Sequence, residues 1–466
     1  MEGLGFVICN FPTVVGIIKP MSKEKIFKKY DIRGVYPDEI NEKDAQDIGR
    51  AFVSYLGEER PRVVVGRDGR ESSPVLYKAL KEGLKNAGAE VFDIGLSNTP
   101  LLNFAVCKYG YSGGVMVTAS HNPPQFNGLK LIRQKGLQVY GEDIQRIREL
   151  VKEGTLKKEE GREKKEDPLP SYVSHILSFN EGIKDLKVVV DYGNGVASVT
   201  GKPTFKELNA EVTELYEEVR GDFPAHLPNP EPENMKELVE RVKKENADVG
   251  IFFDGDGDRS FFVDEKGNIV YPDLLLSMIV KEELSRSRER DVYFDLRFSR
   301  VTEEVIKEAG GDPIMMKVGN PFYKEKLIKE GGLMGAELSG HIMHKDNFCI
   351  DDGLFMAIKV LNFLSKDERS FSELIKPLRK YYQSEEINIE VREKEKALER
   401  AKEAFKEGEL LDIDGVYVRF NDWWFNIRKS NTEDLVRLRL EADTEELLEN
   451  KKKELIETIK GADKRE

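Results

Sequence analysis

Short apolar runs bounded by glycine, serine and proline alternate along the chain with stretches of helical period. Arg62 to Gly66 (Arg-Val-Val-Val-Gly) reads as a buried strand. Ser73 to Ala87 carries apolar residues at helical spacing, opened by Ser72 or Ser73 with Pro74 in its first turn. Val91 to Ile94 is the next strand and Gly141 to Glu149 the next helix. The pattern returns at Leu186 to Val190, an apolar strand leading into Asp191-Tyr-Gly-Asn-Gly, after which Ser198 and Thr200 are expected as helix caps. It returns again at Asp291 to Leu296, ahead of Ser299 and a helical Val301 to Ala309. Strand, turn and capped helix in three segments of similar length predict three similar α/β units. From about Tyr381 the pattern changes: Asn388 to Val391 and Val416 to Phe420 read as strands and Asp443 to Ile459 as a long charged helix, which predicts a C-terminal α+β domain. Lys152 to Asp167 is nearly all charge and ends at Pro168 and Pro170, so a boundary is placed there. The expected divisions are an N-terminal extension at 1–24, then 25–160, 161–265, 266–378 and 379–466.

Composition narrows the class without changing this picture. With 466 residues, 39% apolar and 34% charged, the chain has ample core for several domains. No stretch is long or apolar enough to span a membrane. Cys9, Cys107 and Cys349 are few, odd in number and widely spaced, which argues against a disulfide framework and fits a reducing cytoplasm. A net charge of -13 with no long basic run argues against a nucleic-acid partner. An anionic substrate would therefore need a locally basic site. Residues 1–20 are apolar and glycine-rich, with Glu2 where a secretion signal carries positive charge. Met21 reads as a second start, making what precedes it an upstream extension.

Four stretches carry candidate chemistry. Val115 to Pro124 (Val-Met-Val-Thr-Ala-Ser-His-Asn-Pro-Pro) ends a buried strand on a turn, because Asn122, Pro123 and Pro124 cannot continue it, and the turn presents Ser120 from a rigid base. Ile251 to Ser260 alternates Asp254, Asp256 and Asp258 with glycines, and three carboxylates packed so closely call for a small hard cation, with magnesium the natural occupant. The same spacing resembles a calcium loop running from Asp254 to Glu265. Against that, Arg259 stands where a calcium loop needs glycine, and Ala247 to Phe253 reads as a strand where a helix is required. In Gly335 to His341, Glu337 and Ser339 are two apart, so in extended geometry they face one way and can bracket vicinal hydroxyls, with His341 beside them. Ile427 to Leu438 concentrates Arg428, Ser430, Asn431, Thr432 and Arg437, donors of the kind that hold a phosphate. A hydrolase built on Ser120 is disfavoured: no Gly-x-Ser-x-Gly surrounds it, and in an extended chain His121 points away from it.

Taken in order, these stretches resemble the α-D-phosphohexomutase superfamily, in particular its phosphomannomutase/phosphoglucomutase branch, over nearly the whole chain from about Lys25. Thr118 to Pro123 is similar to that family's phosphoserine loop, Asp254 to Arg259 to its metal loop, Gly335 to His341 to its sugar-binding loop and Arg428 to Thr432 to its phosphate-binding loop. Tyr30 to Gly34 (Tyr-Asp-Ile-Arg-Gly) resembles that branch's N-terminal motif. The resemblance implies three α/β domains with mixed sheets and a C-terminal α+β domain around a central active-site cleft. It also implies interconversion of hexose 1-phosphate and hexose 6-phosphate, of mannose and/or glucose, through a phosphorylated Ser120 and a bisphosphorylated sugar. Magnesium would be held by Ser120, Asp254, Asp256 and Asp258, with hexose 1,6-bisphosphate as activator. Arg33, Lys130 and Arg259 would neutralise charge, Lys130 and His341 would stand near the moving protons, and Tyr30 would belong to the substrate site. Phosphoglucosamine mutase is the alternative. Where many relatives carry a histidine, this chain has Asn320, so a proton transfer assigned to that histidine does not carry over.

Overall fold

The structure is a computed structural model that describes residues 23–154, 160–430 and 434–461. Residues 1–22 of the expected extension, and Asn431 and Thr432 of the expected phosphate loop, lie outside the described residues.

The apolar runs of the first unit become a six-stranded mixed sheet in the order Ile32–Val35, Phe126–Arg133, Gly113–Val117, Arg62–Arg67, Glu90–Leu96 and Arg162–Lys165. The three pairings made by Arg62–Arg67 and Glu90–Leu96 are parallel, and Phe126–Arg133 runs antiparallel to both of its neighbours. A strand covered on both faces must be apolar at every position, and successive side chains separate into two cores. Val63 and Val65 enter a core with the helices Glu42–Leu56, Ser73–Lys85 and Glu142–Glu153, while Val64 enters another with the helix Thr99–Tyr109.

The charged stretch placed at a boundary instead contributes Arg162–Lys165 to this first sheet, paired parallel to Glu90–Leu96. All four residues are exposed. An edge strand needs backbone partners on one side only, so charged side chains do not oppose it. Glu163 pairs with Lys81 at 2.7 Å and Lys85 at 2.7 Å, and Lys164 with Glu90 at 2.5 Å.

The second sheet runs Ile269–Val270, Ser260–Asp264, Val249–Phe253, Lys184–Asp191 and Asn209–Leu215; the third runs Asp312–Met316, Asp291–Asp295, Met334–Ala336 and Ile342–His344. One continuous apolar core joins these two units and takes in Leu101 and Phe104 of the first. Ser198 and Thr200 are not caps. The helix Ala197–Phe205 begins before them, and their hydroxyls donate back to Gly195 O and Ala197 O at 3.2 and 3.3 Å. Thr200 Oγ1 also accepts from Asn98 Nδ2 of the first unit at 2.8 Å.

The C-terminal sheet is wholly antiparallel, centred on Trp423–Lys429 and Leu435–Ala442, with the helices Lys394–Ala404 and Glu445–Lys460 on its apolar face. Leu296 with Tyr417 and Trp424, and Arg300 with Glu441 at 3.1 Å, fasten it to the third unit.

Candidate active site

Ser120 lies three residues beyond the buried strand Gly113–Val117, in the left-handed region with φ 51°. Its amide donates to Thr118 Oγ1 at 2.9 Å, and its hydroxyl donates to Asp254 Oδ2 at 3.2 Å. Two loops from different units meet here so closely that a Cβ on Gly255 would lie 2.5 Å from Ser120 O. Glycine at 255 is what lets them touch.

Asp254, Asp256 and Asp258 are fully buried and their oxygens come within 4.8 Å of one another. Two cations offset the repulsion. Lys130 Nζ stands 2.6 Å from Asp256 Oδ2 and 2.6 Å from Asp258 Oδ2, and Arg259 Nη2 stands 2.8 Å from Asp254 Oδ2. Burial raises Asp254 to about 7 despite Arg259. Burial also works against charge on Asp256, but Lys130 holds that carboxyl well below its ordinary range. Asp256 Oδ1 and Asp258 Oδ1 are buried and accept no hydrogen bond from any described residue. Hard oxygens gathered this closely, two of them unused, fit a divalent cation held by oxygen ligands. The calcium loop is ruled out: Val249–Phe253 is a strand, and Glu265 turns away to accept from the amide of Ser372 at 3.0 Å.

His121 does not point away from Ser120. The left-handed turn at Ser120 brings its Nδ1 to 3.3 Å from the Ser120 hydroxyl. Arg259 Nη2 donates to the same nitrogen at 2.6 Å, and burial, reinforced by Arg259 and Arg33, lowers His121 to about 2. The ring is thus a neutral acceptor whose lone pair is already engaged, which is the physical reason that it is no hydrolase base.

A cavity of about 890 Å³ opens on this cluster, with Tyr30, Arg33, Ser120, Lys130, Asp258 and His341 in its wall. Arg33 Nη1 donates to Asn122 Oδ1 at 2.5 Å, and Tyr30 Oη donates to Val318 O at 3.1 Å. Burial lifts the Tyr30 phenol to about 12. His341 Nδ1 stands 2.8 Å from Asp351 Oδ2, which also accepts from Asn320 Nδ2 at 3.0 Å. Burial disfavours the imidazolium, yet the carboxylates of Asp258 and Asp351 outweigh it and raise His341 above its ordinary value.

Glu337 and Ser339 do not share one face of an extended segment. They form the turn of a hairpin between Met334–Ala336 and Ile342–His344, closed by Gly340 N donating to Glu337 O at 3.0 Å. Glu337 Oε1 accepts from Gly319 N at 3.1 Å, and Ser339 O accepts from Arg259 Nη1 at 3.2 Å. Arg428 and Ser430 stand outside the cavity wall, and a relay joins Arg428 to the Glu337 turn. Arg428 Nη2 and Arg437 Nη1 donate to the Glu386 carboxylate at 2.7 and 3.3 Å, Arg297 donates to it at 3.3 Å, and Arg297 reaches Glu337 at 3.7 Å. Asp351, Glu386 and Arg297 escaped the sequence reading, since each sits in a segment with no spacing of its own to mark it.

All four segments match family models described as phosphoglucomutase/phosphomannomutase: α/β/α domain I at residues 24–158, domain II at 170–267, domain III at 271–382 and the C-terminal domain at 386–458. The chain is 40% identical over 452 residues to a phosphomannomutase/phosphoglucomutase of Pseudomonas aeruginosa, covering 95% of this chain and 97% of that protein. It is 34% identical to a phosphomannomutase of Methanocaldococcus jannaschii, covering 94% and 98%. A crystal structure of a phosphoglucomutase/phosphomannomutase family protein from Burkholderia thailandensis aligns with TM-score 0.89 at 34% identity over 94% of this chain and 98% of that one. The four matched domains in order, and relatives over nearly the full length, show that this chain belongs to the phosphoglucomutase/phosphomannomutase family of the α-D-phosphohexomutase superfamily.

Proposed function

We propose that this protein interconverts the 1- and 6-phosphates of glucose and mannose, with Ser120 as the carrier of the exchanged phosphoryl group. One observation carries the reading: the Ser120 hydroxyl stands 3.2 Å from Asp254, beside three carboxylates and two cations, at the wall of a cavity of sugar-phosphate size. Phosphoryl transfer asks a protein for in-line placement and charge neutralisation more than for covalent help. The phosphoryl group passes from Ser120 Oγ to the free hydroxyl of a hexose monophosphate. The sugar O–H proton leaves as the new P–O bond forms, and the serine oxygen recovers a proton as the old bond breaks. The reverse transfer takes the other phosphate.

Asp254, Asp256, Asp258 and Ser120 would hold magnesium, which supplies charge neutralisation at the transferring group. Lys130 and Arg259 orient those carboxylates and bring positive charge to the same place. His341, held 2.8 Å from Asp351, is the group placed to give and recover a proton, and Asn320 supports it by donating to Asp351. Glu337 and Ser339 would meet the sugar hydroxyls, and Arg428, Ser430, Asn431, Thr432 and Arg437 would take the non-reacting phosphate. A hexose 1,6-bisphosphate would serve as activator by returning a phosphoryl group to a bare Ser120. No described helix is long and apolar enough to cross a membrane, and we place the protein in the cytoplasm. Coupled assays on glucose, mannose and glucosamine 1-phosphates test the reading. Turnover of the first two is expected in the native protein and its near abolition in Ser120→Ala; comparable turnover by Ser120→Ala would refute it.

A further inference from the structure

Arg70 has no access to solvent, and its guanidinium has no contact with the cavity. All five of its N–H donors are nevertheless directed. Nε donates to Asp68 Oδ2 at 3.0 Å. Nη1 donates to Pro123 O at 2.7 Å and Phe126 O at 3.0 Å, and Nη2 to Ser120 O at 2.9 Å and Asn122 O at 2.6 Å. Four carbonyls of one loop are thus gathered on one planar cation, an arrangement that only a guanidinium fork can span. Asp68 is itself fixed, accepting from the Arg70 amide at 3.1 Å and from the Ser73 hydroxyl, which in turn accepts from Asn127 Nδ2 at 3.0 Å.

The loop so gripped holds Ser120 at φ 51°, a conformation that serine adopts only when its surroundings impose it. The other face of the cation belongs to the second unit. The Phe223 ring lies 5.0 Å from the Arg70 guanidinium carbon. Gly221 approaches so closely that a Cβ there would lie 2.5 Å from Glu71 N and Gly69 O.

We propose that Arg70 is the positioning residue of the phosphoryl-carrying serine, and that it is itself set by residues 219–223 of the second unit. Docking of the second unit on the first then completes the nucleophile as well as the carboxylate cluster. This rests on the reading of Ser120 as the carrier. Arg70→Lys keeps the charge but cannot reach four carbonyls with one ammonium. Its kcat on glucose 1-phosphate falls about 100-fold, the scale of a misplacement near 1 Å, while KM and the magnesium concentration for half activity stay within about threefold. Intact-mass measurement shows Ser120 taking up phosphate from glucose 1,6-bisphosphate correspondingly more slowly. Phe223→Ala, which removes only the stacking ring, lowers kcat and the phosphorylation rate together by about tenfold at unchanged KM. If Arg70→Lys folds and both rates match wild type, or if it fails to fold and Phe223→Ala matches wild type, Arg70 has no positioning role. A wild-type protein with no mutase turnover and no phosphate on Ser120 would instead overturn the carrier reading itself.

Discussion

Replacing Lys130 by methionine takes away the one cation that bridges Asp256 and Asp258, each 2.6 Å from its ammonium, in a place where its side chain is only 11% exposed. Three carboxylates would then share Arg259, with His341 3.8 Å from Asp258 as the next nearest partner. Two like charges about 4 Å apart repel by about 4 kcal/mol at an effective dielectric near 20, and removing one partner of a buried ion pair costs about 3–5 kcal/mol. Proton uptake by the carboxylates limits the cost to that range. For a unit of this size the loss lowers the first unfolding transition by about 10–20 °C. Calorimetry in the presence of a chelator reads it directly. Saturating magnesium neutralises the same oxygens, so it should raise the melting temperature of Lys130→Met more than that of the wild type, by the usual mass-action term. A variant that melts within about 2 °C of wild type in chelator, or a magnesium shift equal in both proteins, would show that Lys130 does not balance these charges.

Gly255→Ala places a methyl 2.5 Å from Ser120 O, so the two loops must part; a loss of about 10- to 100-fold in kcat with an unchanged circular dichroism spectrum is expected. Both ring nitrogens of His226 face acceptors, Leu227 O at 2.9 Å and the Asp191 carboxylate at 3.2 Å, so both must donate. Burial opposes that charge, but Asp191 raises the ring above its ordinary pKa. Its contribution to stability is therefore complete below the unfolded value of about 6.5 and is lost as pH rises through the higher folded value. Urea midpoints should fall across that window in the wild type and change less in His226→Gln. On the proposed role of Arg428 and Arg437 in holding phosphate, Glu386→Gln removes a carboxylate that would compete for Arg297, Arg428 and Arg437, and a KM about fivefold lower, the worth of roughly 1 kcal/mol, is expected. A KM that stays the same or rises would show that Glu386 is no such competitor.

Much of this arrangement could be read from residues in sequence because it rests on local rules. The run Val63 to Val65 had to be a strand covered on both faces, and the glycine-spaced Asp254, Asp256 and Asp258 had to form a tight acidic loop. What the chain concealed depends on direction. The alternation rule that placed His121 away from Ser120 fails once Ser120 adopts a positive φ, and the same rule misjudged Glu337 and Ser339 because their segment closes a hairpin. Asp351 and Glu386 become visible only when His341, Asn320 and the three arginines have been brought to them by folding. Arg162–Lys165 was misplaced for a different reason: a strand that buries nothing leaves no apolar trace.

That same strand has a consequence for the life of the molecule among its neighbours. It ends the first sheet among the described residues, so an extended chain pairing with it would have to settle among two lysines, a glutamate and an arginine that already have solvent or partners. Such a border discourages end-on growth into fibrils while costing the interior nothing. Neutralising Arg162, Glu163, Lys164 and Lys165 with threonines would leave catalysis alone and shorten the time that a concentrated solution stays clear.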